Sequence, residues 1–211
     1  MIRVALLACV ILLLSAQPSP AEPLFGVMGG PRGSDQLSPV FEVGLDQQFD
    51  VVVLLHTDGN EHAAAEFVMT ELLLIAPGVF KLLTITAGYD GFPIEDRSHG
   101  EYVIAYQTCA PPASGFELVR VTYGTLAGPV PPDTVISVRG FQPGDSVPST
   151  FGGYPGIIDC NDTAFAGSMG GHDGGFTVTG VEVPDGALGL NLTQPVVETE
   201  AGSWGALKSR Y

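Results

Sequence analysis

Two imidazoles and two carboxylates fall within one short stretch, His56-Thr57-Asp58-Gly59-Asn60-Glu61-His62. Histidine nitrogens beside carboxylates suit a transition metal, whereas Asp58, Asn60 and Glu61 offer the oxygens that hard Ca²⁺ takes. No EF-hand loop and no His-Glu-x-x-His helix frames them, and polar residues around a glycine are what any hairpin turn contains. The stretch therefore reads first as a solvated turn. Its second reading is a metal site made by His56, Asp58, Asn60, Glu61 and His62, with Ca²⁺ the one cofactor considered. Asp90, Glu95 and Asp96 make a second acidic turn of the same kind.

Ala166-Gly167-Ser168-Met169-Gly170, with His172 close by, has the outline of a nucleophile elbow. An elbow needs a helix after the serine, and the Gly170-Gly171-His172-Asp173-Gly174-Gly175 run opposes one, each glycine costing about 1 kcal/mol relative to alanine. A surface loop fits better. Carboxylate pairs for glycoside cleavage are defined by their separation in space, which acid count does not give. No nucleophile–base pair, phosphate loop or strong metal motif is present, so the pattern points away from an enzyme. Aromatic rings in Gly/Pro-rich surroundings offer sugar stacking instead. Tyr89, Phe92, Tyr102, Phe151 and Tyr154 lie there, Tyr89 and Tyr154 being the positions to test, while Phe49, Phe67 and Phe116 read as core.

These residues must be carried by a secreted scaffold. Arg3, the apolar run Val4 to Leu14 and small residues up to Ala21 have the layout of a cleaved signal peptide over residues 1–21. The apolar run is too short to span a bilayer, which takes about 20 residues, so no membrane span is expected in the mature chain. The mature protein is then secreted, extracellular or periplasmic. Cys109 and Cys160 are the cysteines left after the leader, and an even count in an oxidising compartment predicts that they pair. The full chain has a net charge of −15, made more negative when Arg3 leaves. Such a charge disfavours nucleic acid and anionic membranes and favours cations or basic partners.

The 17 prolines and 28 glycines lie among 45% hydrophobic residues, which points to frequent turns rather than disorder. Residues 22–39 read as a flexible lead-in. Val40 to Leu45, Phe49 to His56, about Ala63 to Thr70, Val79 to Thr86, Glu101 to Thr108, Phe116 to Tyr123, Thr134 to Val138, Phe176 to Val183 and Leu188 to Leu192 read as strands. Phe49 to His56 is apolar on consecutive positions, as for a strand covered on both faces. Gln142 to Gly175 reads as a long irregular excursion that the disulfide would tie down. Short strands with little helix predict an all-β antiparallel β-sandwich over 40–194.

The order of the Phe49 to His56 strand, Ala-Ala-Glu-Phe at Ala64 to Phe67, the Gly-led strand Gly100 to Tyr106 and Gly-Phe-Glu-Leu-Val-Arg-Val at Gly115 to Val121 resembles the cohesin and carbohydrate-binding-module type of jelly-roll sandwich. The resemblance implies binding, to dockerin-type protein partners or to glycans, and carries over no individual contact residue. The end of the chain, Ser203 to Tyr211, resembles the closing segment of secreted proteins from uncultured bacteria. Residues 195–211 read as a linker and an amphipathic tail in which Trp204, Leu207 and Tyr211 share one helical face for docking. The functional expectation is a secreted, non-enzymatic binding or surface-associated module with a protein or glycan surface as partner. The alternative is a glycan-binding or glycan-processing extracellular protein.

Overall fold

A computed structural model describes residues 22–57, 61–86, 92–96, 100–112, 114–126, 128–170, 176–178 and 181–193. The expected leader at 1–21 and the expected tail at 195–211 lie outside them. In chain order the strands are β1 (Leu24–Pro31), β2 (Val40–Phe41), β3 (Gln48–His56), β4 (His62–Met69), β5 (Phe80–Thr86), β6 (Phe92–Asp96), β7 (Glu101–Ala110), β8 (Ser114–Gly124), β9 (Thr134–Ile136), β10 (Val138–Arg139), β11 (Gly156–Asp159), β12 (Ala164–Ala166), β13 (Ser168–Met169), β14 (Phe176–Val178), β15 (Val181–Val183) and β16 (Leu188–Leu190). One short helix, α1 (Leu72–Ile75), precedes β5.

The strands form two main sheets. The first has the order β13-β1-β3-β8-β5, and the second β12-β11-β4-β7-β6, with β10 also paired to β4. Pairing is antiparallel except that β13 runs parallel to β1, and β2 runs parallel to β16 in a small third sheet with β9. The two main sheets pack face to face. Phe25 of β1 meets Phe67 of β4 with ring centroids 6.0 Å apart, and Phe67 stacks on Tyr102 of β7 at 5.1 Å. Phe49, Val51, Val53 and Leu55 of β3 and Val119, Val121 and Tyr123 of β8 supply much of the other wall. The all-β sandwich expected from strand alternation is the observed architecture.

Residues 22–39 depart from the expected flexible lead-in, because Leu24–Pro31 forms β1 and pairs along its own whole length with Phe49 to His56 of β3. Glycines at 26, 29 and 30 hide this strand from a propensity reading, yet Gly29 lets Leu188 pack within reach of the backbone, where a Cβ would stand 3.1 Å from it. The 31–38 segment then folds over the outer face of β3. Asp50, buried there, accepts from Gly33 N at 2.8 Å, Arg120 Nη1 at 2.9 Å and Thr122 Oγ1 at 2.7 Å. That cover explains why Val52 is as buried as its inward neighbours and why β3 is apolar on consecutive positions.

The expected irregular excursion from Gln142 to Gly175 also contains order. Residues 156–169 supply β11, β12 and β13, and β11 pairs with β4 in the second sheet. Cys109 in β7 and Cys160 just after β11 form a disulfide with Cα atoms 5.9 Å apart. Just after the strand expected to end near Thr70, Leu72–Ile75 forms one turn of helix. Glu71 caps it by accepting from Leu73 N at 3.2 Å, and Pro77-Gly78 ends it.

Candidate functional site

Glu71 does more than cap α1. It is buried, takes a hydrogen bond from Tyr123 Oη at 3.3 Å and pairs with Lys81 of β5. Burial, and then the neighbouring Glu71 charge, push the Tyr123 phenol well above its ordinary range, so it stays a neutral donor. Lys81 is thereby drawn towards the core side of the sandwich. Its β8 partner is Tyr123 and Thr84 pairs with Val121, and the side chains of Tyr123 and Val121 face inward; the backbone of residue 86 pairs with Val119.

The opposite set of β5 side chains points away from the core. Leu83 pairs with Thr122, Ile85 with Arg120 and Phe80 with Gly124, while Leu82 occupies the register shift between Lys81 and Leu83. Gly124 has no side chain to cover, and an ideal Cβ there would lie 3.2 Å from Leu82 Cδ1, so Leu82 lies over bare backbone. Phe80, Leu82, Leu83 and Ile85 are 46%, 44%, 43% and 46% exposed. Two more apolar side chains stand at the Phe80 end. Leu126 follows Gly124 by two residues, and the Leu45 turn is bound to Thr125 through Thr125 Oγ1 to Gly44 O at 2.8 Å and Asp46 N to Thr125 O at 3.1 Å. Four large exposed apolar side chains thus follow one edge of the first sheet, and exposed Leu126 and Leu45 lie on the turns next to the Gly124 end of β8. Sequence reasoning placed a strand here but did not single out its residues. The available signal was the adjacent pair Leu82-Leu83, which breaks the alternation a half-buried strand would keep.

Those of the residues singled out by type and spacing that are described lie on several different elements. His56 ends β3 in the first sheet and His62 opens β4 in the second; Asp58 and Asn60 lie outside the described residues. His62 is turned fully into the core between Tyr106 at 5.2 Å and Phe116 at 4.9 Å, each ring meeting it edge to face. Burial lowers its pKa to about 4 and raises the Tyr106 phenol beyond its ordinary range. Glu61 is exposed and lies beside Cys109 and Cys160, whose sulfurs are bonded to each other and are not thiolate ligands. Ser168 is a residue of β13, and His172 lies outside the described residues.

Of the aromatic candidates, Tyr102 and Phe151 are buried, Tyr89 lies outside the described residues, and Tyr154 is 61% exposed. Tyr154 follows Gly152 and Gly153, whose positive φ values of 67° and 95° turn the chain back on itself. The loop before it borders a half-open pocket of about 570 Å³ lined by Phe141, Gln142, Asp145, Val147 and Ser149 among others. This loop is strapped across the second sheet by two buried carboxylates on neighbouring strands. Glu66 of β4 accepts from Thr150 N at 3.0 Å, and Glu101 of β7 accepts from Ser146 N at 3.2 Å and from the Ser146 hydroxyl. Their lone pairs are used to hold backbone, and Arg139 clamps Asp145 from below with bonds of 2.6 and 2.9 Å.

In sequence, no protein-family model and no curated protein matches the chain. In structure, it is similar to a cohesin module from a Clostridium perfringens family 33 glycoside hydrolase, at 8% identity and a TM-score of 0.44, covering 82% of this chain and 99% of that one. It is also similar to the third ScaB cohesin of R. flavefaciens, solved in complex with a group 1 dockerin, at 11% identity and a TM-score of 0.44, covering 85% of this chain and 100% of that one. Both likenesses are to the cohesin type of sandwich. Among the described residues no helix is long and apolar enough to cross a membrane.

Proposed function

We propose that the chain is an extracytoplasmic, non-catalytic module that binds a protein partner through the apolar surface of β5. The observation that supports it most is the exposure of Phe80, Leu82, Leu83 and Ile85 on one strand, with exposed Leu126 and Leu45 on the turns near its Phe80 end. Single exposed apolar residues are ordinary, but a contiguous row on a folded surface marks an interaction site. The Cys109–Cys160 bond fits an oxidising compartment, in keeping with the leader-like N-terminus.

Photo-crosslinking tests the reading. A photoreactive residue at Leu83, in protein exported by its native host, should give an adduct with a different protein, and the same residue at exposed Asp162 should not. Unlabelled wild type should compete for the adduct, and the Leu83→Lys, Ile85→Lys double variant should not. Equal labelling from both positions, or competition by both proteins, would refute β5 as the binding surface. A second reading, glycan binding, is supported by the exposed Tyr154 ring next to the 141–153 pocket, and loss of glycan binding on Tyr154→Ala tests it.

A further inference from the structure

We propose that β5 is an open docking edge at which an extended, apolar, basic-flanked segment of another protein adds as a further strand of the first sheet. This rests on the protein-binding reading above and specifies its geometry and the chemistry of the partner.

The four outer strands of the two main sheets are not alike. β13 has 2 residues and β12 has 3, too short to template a neighbour. β6 has 5 residues and contains Pro93, Glu95 and Asp96, a ring without an amide hydrogen and two charges. Short length, proline and charge are the usual means of keeping a sheet edge from pairing with another chain. β5 has 7 residues, no proline and four large apolar side chains, and its one charge, Lys81, is turned inward to Glu71. The register shift at Leu82 distorts only its first half. From Leu83 to Thr86 it pairs in regular register with Thr122 to Val119, and among the described residues β8 is its one strand partner. A strand added there would gain main-chain hydrogen bonds along the edge and lay alternate side chains beside Leu83 and Ile85.

Charge selects the partner. At the Phe80 end the turn that carries Leu45 also bears exposed Asp46, and exposed Glu42 precedes Leu45 by three residues. At the Ile85 end Arg120 is shared by Asp50 and Glu117, one guanidinium between two carboxylates, which leaves that end negative as well. An incoming segment with lysine or arginine on both sides of its apolar stretch meets both ends favourably. A second copy of this chain does not. Antiparallel β5–β5 pairing would bring the Asp46 end of one molecule against the Glu117 end of the other, between chains that each carry −15.

The test uses the full exported chain and fluorescein-labelled synthetic peptides read by fluorescence polarisation. The probe is a Val-Thr alternating hexapeptide with two lysines at each end. Binding should be saturable, weaken by about tenfold or more on Ile85→Lys, and fall similarly when glutamates replace the flanking lysines. N-methylation of alternate peptide amides should abolish binding for the set that faces β5 and leave it intact for the other set. Loss on Ile85→Lys with equal binding of both methylated peptides would overturn strand addition while keeping an apolar binding surface. Binding indifferent to Ile85→Lys would overturn both. A concentration-dependent dimer in sedimentation velocity that Ile85→Lys abolishes would assign the edge to a second copy and overturn the partner chosen here.

Discussion

His62 and Phe116 come from opposite sheets, yet their rings meet edge to face at 4.9 Å, with neither imidazole nitrogen hydrogen-bonded among the described residues. A histidine that sequence spacing offered as a metal ligand is thus a packing residue. Its neutral form is the one the core accepts, since both ring neighbours present apolar edges or faces.

The pH dependence follows from that packing. His62 titrates near 6.5 when unfolded and at about 4 when folded, so between these values the unfolded chain binds more protons. Its contribution to stability is complete above pH 6.5 and is lost as pH falls towards 4, a loss on the order of 2 kcal/mol. Urea unfolding at pH 7 and pH 4.5 should show the drop, and His62→Phe, which keeps an aromatic ring but no titrating nitrogen, should reduce it. An unchanged pH profile in His62→Phe would show that other groups set the acid sensitivity.

Removing the covalent tie, which joins β7 to the end of β11 across β4, should lower stability. Cys109 and Cys160 are 51 residues apart, and opening a loop of that size costs about 2–4 kcal/mol by the chain-entropy argument. The Cys109→Ala, Cys160→Ala variant should melt several degrees lower than wild type. Reduction of the wild type should reproduce that fall and leave the variant unaffected.

Asp50 and Arg120 make the electrostatic hinge between the 31–38 cover and the first sheet. Arg120→Leu leaves Asp50, whose side chain is 1% exposed, with donors from Gly33 and Thr122 but no cation. Breaking a buried pair from one side costs about 3 kcal/mol or more. The Asp50→Asn, Arg120→Leu double variant should recover part of the loss in chemical denaturation, because no charge is then stranded. A double variant less stable than Arg120→Leu would contradict this account.

The glycan reading turns on Tyr154. On a glycan array, any ligand held by stacking should lose binding by about tenfold on Tyr154→Ala and retain it on Tyr154→Trp, which keeps an aromatic face. Binding that survives Tyr154→Ala would place the sugar elsewhere, and an array without signal would leave the β5 surface as the reading to pursue.

Local chemistry in the chain was enough for the architecture. Alternation in Phe116 to Tyr123, consecutive valines at 51–53 and closely spaced turns pointed to an all-β sandwich, because short strands of period two bury one apolar face of a sheet against another. The pairing of Cys109 with Cys160 was expected from the leader-like N-terminus and the even number of cysteines after it. What escaped was decided by contacts distant in sequence. The glycine-rich Leu24–Pro31 has weak strand propensity and becomes β1 because β3 pairs along its full length. Glu66 and Glu101 look like surface acids until the 141–155 loop crosses them and donates its amides. Whether His62 faces a turn or the core depends on which sheet it joins. The apolar row on β5 is a surface only because no further strand follows it in the first sheet among the described residues, a consequence of strand order that no local window contains.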